Sequence, residues 1–478
     1  MNWIDRAVSY VSPVAGLRRQ SARKMLARSA PPAARAGRRF FGSDRDFGIN
    51  TGDPNDARPR RYIDRMTILR LVAENPFARK ALAALLNSYV GWGVTGAPTG
   101  SRKLRQMWAE WISACDYGGV LDLYGLQELW ATSQFRDGEV FIVRRIVKVE
   151  PGQVPLRLQT FDKGMLATHM VGRNIHRGIE YDGEGRPVAY HFYRGRPGQA
   201  WATLETVRHP AEDVIHLFHR EWVGQTEGVS AFDSVVKRLG DVEEGIEAEV
   251  VKANISACLV GFRYRTPNQD GDDPNIGLET GQDIGGAPVE EFRPGMIETL
   301  DNGEEITFSN PPRTGGIADL ARFALLASAA GTNVTYEQMT GDLSNVNFSS
   351  YRAGALEFKR TIGRLQYLTF IPICLNRVFG WFTQAGYEAG VLGKASASIK
   401  WTPPPFESID RKGDAEADIL EMEAGLENRP NLLNSRGYDH DTFMAETAAS
   451  LKVSQDLGLT FKGDPESHAS QPAPSAEE

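Results

Sequence analysis

His216 and His219 have the close spacing at which two imidazoles can share a metal ion. They lie in a segment rich in apolar and β-branched residues, a pattern typical of a strand. Neighbouring side chains of a strand point to opposite faces, so residues three apart do not meet on one side of a sheet. We therefore interpret both as ordinary sheet histidines.

Asp270, Asp272 and Asp273 resemble part of a calcium-binding loop, in which alternating carboxylates supply oxygen ligands. Such a loop needs glycine at its sixth position to make a sharp turn. Counted from Asn268, the sixth position is Asp273. The run therefore favours a solvated acidic loop over a metal site.

Nucleophilic and phosphate-binding motifs are incomplete or missing. The tripeptide 228–230 lacks the second glycine of a nucleophile elbow, and its Ser230 is typical of a helix cap. The chain has no Gly-Lys-Ser/Thr run that could hold a phosphate. Cys115, Cys258 and Cys374 are far apart in apolar surroundings, which indicates neither disulfides nor a zinc site and fits a reducing cytoplasm. The sequence predicts no catalytic residue, no metal and no cofactor.

Charge is unevenly distributed in a chain whose net charge is −7. Residues 1–39 hold nine basic side chains and one acidic, whereas residues 268–312 hold eleven acidic side chains and only Arg293. Segments of opposite sign predict different neighbours for each. For the basic segment, nucleic acid, an acidic partner surface and a solvated tail remain open alternatives. No apolar run approaches the ~20 residues of a membrane span, so no contact with a membrane is predicted.

Apolar periodicity indicates helices followed by a mostly antiparallel sheet, which is an α+β arrangement. Asn75-Pro76 predicts the start of a first helix, because asparagine caps and proline fits the first turn. The tryptophans Trp108, Trp111 and Trp130 fall on apolar helical stripes and are predicted to lie in the core. The other predicted elements are helices around 104–115 and 126–135, strands at 139–147, 156–161, 187–194 and 213–219, and a hairpin turn at 181–185.

The second half of the chain is predicted to be mainly helical. A long helix follows Ser230, with apolar residues from Phe232 to Ile255. Gly240 and Gly245 each cost roughly 1 kcal/mol inside a helix, which indicates close packing against a neighbouring helix. The remaining predictions are short strands within 263–312, a helix at 317–330, a helix from 349 that is kinked near Pro372, a strand within 396–409, and helices at 415–425 and 442–451.

Several segments together make the chain resemble a known family, the lambda-type portal proteins of tailed phages and related gene transfer agents. None is a catalytic signature; the resemblance depends on their joint order over roughly residues 60–455. The segments are 75–93, 138–146, 215–230 (IHLFHREWVGQTEGVS), 331–343 (GTNVTYEQMTGDL), 347–355 (NFSSYRAGA) and 423–430.

The resemblance implies a portal fold within a ring of twelve subunits at one capsid vertex. Each subunit would have a wing of helices and antiparallel sheet, a helical stem, a small clip, a tunnel loop and a helical crown. By position, the parts would be a basic N-terminal arm (1–61), the wing (62–228), the first stem helix (229–257), the acidic clip (258–313), the second stem helix (314–331), the tunnel loop (332–350), a long helix returning to the wing (351–410), the crown (411–461) and a disordered tail (462–478).

The composition of the implied tunnel loop suits the passage of DNA. It contains no lysine or arginine, and its only charges are Glu337 and Asp342. Each phosphate that a cation neutralises strengthens binding, so a basic lining would hold the DNA in place. A polar loop can touch a duplex weakly without reading its sequence. We predict that Asp342, Ser344, Asn345 and Asn347 face the channel.

The acidic clip is predicted to dock the basic surfaces of partner proteins. Electrostatic steering of this kind acts over a Debye length, ~8 Å at physiological salt. The resemblance implies the terminase large subunit and then the head–tail adaptor as clip partners. It also implies other copies of the chain, a capsid or scaffolding protein and double-stranded DNA, in a virion assembled in the bacterial cytoplasm. The residues predicted to form the docking surface are Asp270, Asp272, Asp273, Glu290 and Glu291.

Two alternative functions remain open at the level of sequence. A metal-dependent enzyme that processes DNA could use scattered carboxylates, and it would cleave DNA in the presence of magnesium. Another virion scaffold or adaptor protein would stay monomeric until assembly. A native mass measurement distinguishes both from a ring-forming subunit.

Overall fold

A computed structural model describes residues 65–199, 205–257, 261–265, 304–308, 317–344, 346–406, 410–438 and 440–459. The chain divides into two units, 1–62 and 63–478, and all described residues belong to the second. The predictions for the basic arm and for the tail at 462–478 therefore lie outside the described residues.

Four helices open the described part of the chain, and side-chain caps set where they begin. The side-chain oxygen of Asn75 accepts hydrogen bonds from the amides of Phe77 and Ala78, at 3.1 and 3.0 Å, which confirms the predicted helix start. Ser101 and Asp122 cap the next two helices in the same way. The first of the four helices was not predicted from the sequence. The helices are α1 (Arg65–Glu74), α2 (Pro76–Tyr89), α3 (Arg102–Ile112) and α4 (Leu123–Asp137).

Two antiparallel sheets follow, which confirms the predicted α+β arrangement and its strands. The strands are β2 (Glu139–Ile146), β3 (Leu156–Asp162), β4 (Ile175–His176), β5 (Ile179–Tyr181), β6 (Pro187–Tyr193), β7 (Thr206–Pro210) and β8 (Val214–Phe218). The first sheet has the order β3-β2-β8 and the second the order β4-β5-β6-β7. The predicted turn at 181–185 joins β5 to β6.

An aromatic core joins the N-terminal helices to elements near residue 400. The Trp108 ring meets Phe379, Phe382 and Trp401 at centroid distances of 5.2, 5.0 and 6.0 Å. Trp108 is 2% exposed, and Trp111 and Trp130 are equally buried, as predicted. In addition, strand β1 (Thr95–Thr99) pairs antiparallel with β11 (Ser398–Thr402).

The long helix after the sheet, α5 (Val236–Ala257), begins later than predicted. Ser230 does not cap it: its hydroxyl accepts the amide of Phe232 at 3.1 Å, and residues 231–235 form turns. The amide of Ala231 donates to the carbonyl of Phe135 at 2.9 Å. These bonds hold the segment against the end of α4, so regular helix starts only at Val236.

Gly240 and Gly245 do not pack against a neighbouring helix within the subunit, so that prediction is wrong for a single copy. Among the described residues, no atom would lie within 4 Å of a Cβ atom built on either glycine. Helix α5 does contact α6 (Ile317–Thr332), which confirms the predicted second helix. Between them, β9 (Gly261–Arg265) and β10 (Glu304–Phe308) pair antiparallel.

The next helices confirm the predicted irregularity at Pro372. After α7 (Tyr336–Thr340), helix α8 (Phe348–Leu365) continues through a π-helical segment (Gln366–Leu375) into α9 (Asn376–Glu388). Proline cannot donate an amide hydrogen bond, and the wider π turn accommodates the missing bond. The helix is therefore reshaped there without ending.

Three C-terminal helices complete the described chain. Two correspond to predicted helices, while the middle one, which begins at an asparagine cap followed by Arg-Pro, was missed. The helices are α10 (Arg411–Glu423), α11 (Arg429–Ser435) and α12 (His440–Asp456). In the part of the chain that the structure describes, no helix is both long and apolar enough to cross a bilayer.

Candidate functional site

The segment 332–350 is not a continuous loop, which corrects the sequence-based prediction. Helix α6 ends at Thr332, α7 lies inside the segment, and α8 begins at Phe348. A capping box explains α7: the Thr335 hydroxyl accepts the amide of Gln338, and the Gln338 side chain accepts the amide of Thr335. The T-x-x-Q spacing was a readable signal. We name the irregular remainder, residues 341–347, the α7–α8 loop.

Gly341 turns the chain out of α7 into the α7–α8 loop. Its φ of +76° lies in the left-handed region, where glycine carries no steric penalty, and its amide donates to the carbonyl of Glu337 at 2.7 Å. This glycine fixes where the loop leaves the helix, so the loop starts at a defined position.

Asp342 and Ser344 form a small exposed turn at the beginning of the α7–α8 loop. The amide and the hydroxyl of Ser344 both donate to Oδ1 of Asp342, at 3.0 and 2.6 Å. These bonds, led by that from the hydroxyl, lower the pKa of Asp342 from its usual value. The carboxylate is therefore ionised at neutral pH and faces solvent.

Asn347 caps α8, a role not predicted from the sequence. Its side-chain oxygen accepts the amide of Ser350 at 2.8 Å, and the Ser350 hydroxyl donates to the Asn347 carbonyl at 3.1 Å. Asn347 is exposed, and so is Leu343, at 63%. Asn345 lies outside the described residues. Of the predicted channel residues, Asp342, Ser344 and Asn347 thus share one exposed loop.

Two cations from other helices lie at the base of the α7–α8 loop. The guanidinium of Arg322 on α6 lies 5.8 Å from the centre of the Tyr336 ring, and its charge contributes to the lowered pKa of Asp342. A Cβ atom built on Gly341 would lie 3.8 Å from Nζ of Lys80 on α2. The loop lacks cations in its own sequence, but the fold supplies them beside it.

The predicted docking residues Asp270, Asp272, Asp273, Glu290 and Glu291 lie outside the described residues. The structure describes only the strands on either side of them, β9 and β10, in which Arg265 pairs with Glu304. The segment between these strands, residues 266–303, therefore begins and ends at adjacent positions of one two-stranded ribbon.

A buried ionic cluster, which the sequence did not reveal, lies where the chain passes from the sheet to α5. The carboxylate of Glu139, 1% exposed, lies 3.1 Å from Nζ of Lys163 and 3.0 Å from Nε2 of His216. It also accepts the amide of Gly228 at 2.6 Å. Lys163 contacts a second carboxylate, Glu227, at 3.5 Å. These residues come from four separate segments, so no spacing in the sequence could indicate them.

The environment of Glu139 keeps it charged despite its burial. Burial alone would raise its pKa, but Lys163, His216 and the Gly228 amide together lower it to about 2. Gly228 fits because it has no side chain: a Cβ atom there would lie 2.0 Å from the carbonyl oxygen of Gly138. The cluster therefore clamps the peptide from which the chain continues toward α5.

The remaining candidates for chemistry have ordinary structural partners. His216 contacts Glu139, whereas Nδ1 of His219 lies 3.5 Å from the Thr369 hydroxyl. Burial raises the pKa of Cys115 to about 12 and also raises that of Cys374, so neither thiol is ionised near neutral pH. Among the described residues, no three His, Cys, Asp or Glu side chains are grouped so that they could hold a metal ion.

The sequence comparisons with known proteins point to one family. Residues 52–366 match the family model described as phage portal protein, lambda family. The chain is 25% identical over 382 residues to a probable portal protein of Halomonas phage phiHAP-1, covering 75% of this chain and 71% of that relative. It is 21% identical over 331 residues to portal protein B of Escherichia phage lambda, covering 60% of each. Among solved structures, it is similar to a chain in the virion of a native gene transfer agent particle, with a TM-score of 0.47, 16% identity, and coverage of 80% of this chain and 94% of that one.

Proposed function

This chain belongs to the lambda family of phage portal proteins, and we propose that its copies close into a ring around a channel for double-stranded DNA. The observation that carries the proposal is helix α6, which has apolar residues on two faces. One face, with Leu325 and Ala329, is buried in the subunit. The other face has Leu320, Phe323 and Leu326, which are 66, 69 and 45% exposed. An exposed apolar surface of this kind marks an interaction site, so this face needs a neighbouring copy.

Helix α5, which packs against α6, also exposes apolar residues. Ile246, Val250 and Val251 are 45, 54 and 55% exposed, and Gly240 and Gly245 face open space. A surface without side chains allows close approach of another helix. Contacts between unlike surfaces of neighbouring copies form a closed ring when the rotation closes. The paired helices α5 and α6 therefore serve as the stem.

The α7–α8 loop is the proposed contact with DNA. Only the short helix α7 separates it from the stem helix α6. The exposed Asp342 is the only charged residue of the loop. A loop of this composition neutralises no phosphate, so a duplex can slide past it. Lys80 and Arg322 lie at its base, where their positive charges partly offset the negative charge of Asp342.

The other parts of the proposed portal fold follow from their positions in the chain. We assign the N-terminal helices and the two sheets to the wing, the β9–β10 ribbon and the segment it encloses to the clip, and residues 411–461 to the crown. In this proposal the ring has twelve copies and sits at one vertex of the virion. The clip docks the terminase large subunit and later the head–tail adaptor, and the wing contacts the capsid or scaffolding protein.

Ring formation by the purified chain tests this proposal. Native mass measurement and negative-stain imaging should show a large ring. On dilution, the ring of Phe323→Glu should dissociate at a protein concentration at least tenfold higher than the wild-type ring does. Phe323→Leu, which keeps the apolar contact, should leave the ring intact. Because Phe323 is 69% exposed in a single subunit, neither variant should change the circular dichroism spectrum.

A ring as stable in Phe323→Glu as in wild type would contradict the role of α6, and a wild-type chain that stays monomeric at every concentration would contradict the ring. Incubation with linear DNA and magnesium addresses the enzyme alternative. Cleavage that a single carboxylate substitution abolishes would favour that alternative over a passive channel.

A further inference from the structure

The C-terminal module, which we define as residues 410–459, has no buried side chain among its described residues. None of its helices α10, α11 and α12 buries a residue, whereas α2 alone buries Ala78, Ala81, Leu82, Leu85 and Tyr89. Most of the stability of a protein helix comes from packing an apolar face, and short helices are marginal without it. As described in one copy, the module lacks the packing that would hold it folded.

Few contacts tie the C-terminal module to the rest of its own subunit. Asp414 accepts a hydrogen bond from Arg352 on α8 at 3.0 Å. Gly437 lies against the ring of Pro405, where an added Cβ atom would come within 2.7 Å. An exposed ion pair of this kind contributes little to stability, so these links position the module without stabilising its fold.

Large apolar side chains of the module face solvent. Burying such side chains stabilises a folded protein, and the single subunit does not gain this stabilisation. So many exposed apolar side chains within one small module indicate a surface that another protein surface covers. The exposed residues are Ile419, Leu420, Leu426, Tyr438, Met444, Val453, Leu457 and Leu459, which are between 39 and 80% exposed.

Helix α12 arranges part of this surface as a regular stripe. Ala445, Ala449 and Val453, with Leu457 directly after the helix, follow at four-residue intervals and are all exposed. Residues at this spacing form one ridge on a helix surface, and the two alanines allow a second helix to approach closely. On another face of α12, Phe443 is half-buried, and its ring centre lies 5.4 Å from that of Tyr438. Helix α12 therefore has one face used inside the module and one left free.

The charge of the module excludes DNA as the covering partner. Residues 410–459 contain eleven acidic and five basic side chains, so a polyanion is repelled. The stripe itself contains no charged residue. Its chemistry fits an apolar protein surface, and Ile419 and Leu420 on α10, 50 and 65% exposed, offer one.

We propose that the α12 stripe of one copy packs against Ile419 and Leu420 on α10 of the neighbouring copy, and that the module becomes stably folded only through this contact. Every copy carries both surfaces, and a contact between unlike surfaces repeats around a ring without leaving either uncovered. The proposal rests on the proposed ring function and assigns the partner of one part of the chain.

Hydrogen exchange measured on intact rings tests the contact. In wild-type rings the amides of α12 should exchange at least tenfold more slowly than in rings of Val453→Glu, which places a charge in the stripe. The matched control is Gln455→Glu, which places the same charge on an exposed position of α12 outside the stripe and should exchange like wild type. Residues 65–406 should keep their protection in all three proteins. Failure of Val453→Glu to form rings, while Gln455→Glu forms them, would also support the contact.

A cysteine pair identifies the neighbour. Ala449→Cys combined with Leu420→Cys should give disulfide-linked multimers under mild oxidation, and neither single variant should give the same ladder. Wild-type rings whose α12 amides exchange rapidly, or equal protection in Val453→Glu and wild type, would overturn this proposal and leave the ring intact. A complete absence of rings in wild type would instead overturn the proposed function on which it depends.

Discussion

Replacing Glu139 by glutamine should lower the free energy of unfolding by about 3 kcal/mol at neutral pH. The pKa of Glu139 falls from 4.5 to about 2 on folding, and each unit of such a shift corresponds to ~1.36 kcal/mol. The variant keeps the shape of the side chain but removes the charge that pairs with Lys163. The buried ammonium then loses its closer carboxylate and keeps Glu227, at 3.5 Å, and the Gly228 carbonyl, at 3.4 Å. Breaking a buried ion pair from one side is costly for this reason.

The same residue predicts how stability depends on pH. Because the folded-state pKa is lower than the unfolded one, the contribution of Glu139 is fully present above about pH 4.5. It is lost as the pH falls from that value toward 2, where the carboxylate becomes protonated in the folded chain as well. The difference in stability between wild type and Glu139→Gln should therefore be constant near neutral pH and shrink below pH 4.5.

Urea denaturation between pH 3 and pH 7, followed by tryptophan fluorescence, measures this difference, because Trp108, Trp111 and Trp130 are all buried. Other carboxylates titrate in both proteins, so subtracting the two curves isolates Glu139. A variant within 1 kcal/mol of wild type at pH 7 would refute the reasoning. So would a difference that does not change between pH 5 and pH 3.

Two further predictions concern the Gly228 peptide and the α7–α8 loop. Gly228→Ala should lower the free energy of unfolding by about 3 kcal/mol, because its Cβ atom would lie 2.0 Å from the Gly138 carbonyl oxygen. A loss below 1 kcal/mol in the same urea assay would show that the two segments move apart easily. Leu343→Lys should slow DNA packaging in a defined packaging reaction while rings still form, because it adds a cation to an exposed loop position; Leu343→Gln should package normally, and equal packaging by the two variants would argue against DNA contact there.

Local signals in the sequence predicted many of the elements. Asn75 followed by proline marked the start of α2, and short runs of β-branched and aromatic residues marked β2 and β8, because caps and strand composition are local features of the chain. The capping box of Thr335 and Gln338 was an equally local signal for α7, but the small polar residues around it favoured a loop.

Long-range juxtapositions could not be predicted. Glu139 and Lys163 meet because β2 and β3 pair in one particular register, and nothing in the spacing of the two residues shows it. The cations beside the α7–α8 loop come from α2 and α6, so the composition of the loop alone understated the local charge. Gly240 and Gly245 show the reverse case: two glycines inside a helix predicted close packing, but none of the described residues of the subunit packs against them.

The attachment of α5 to the sheet has a mechanical consequence. Near Gly228, the chain is held by its amide to Glu139, by its carbonyl to Lys163 at 3.4 Å, and by Ser230 and Ala231 to the carbonyl of Phe135, at 3.3 and 2.9 Å. These bonds fall within residues 228–231, and their partners Glu139, Lys163 and Phe135 are all buried. The chain is therefore fixed at several points where it leaves the sheet, and this junction behaves as a stiff joint.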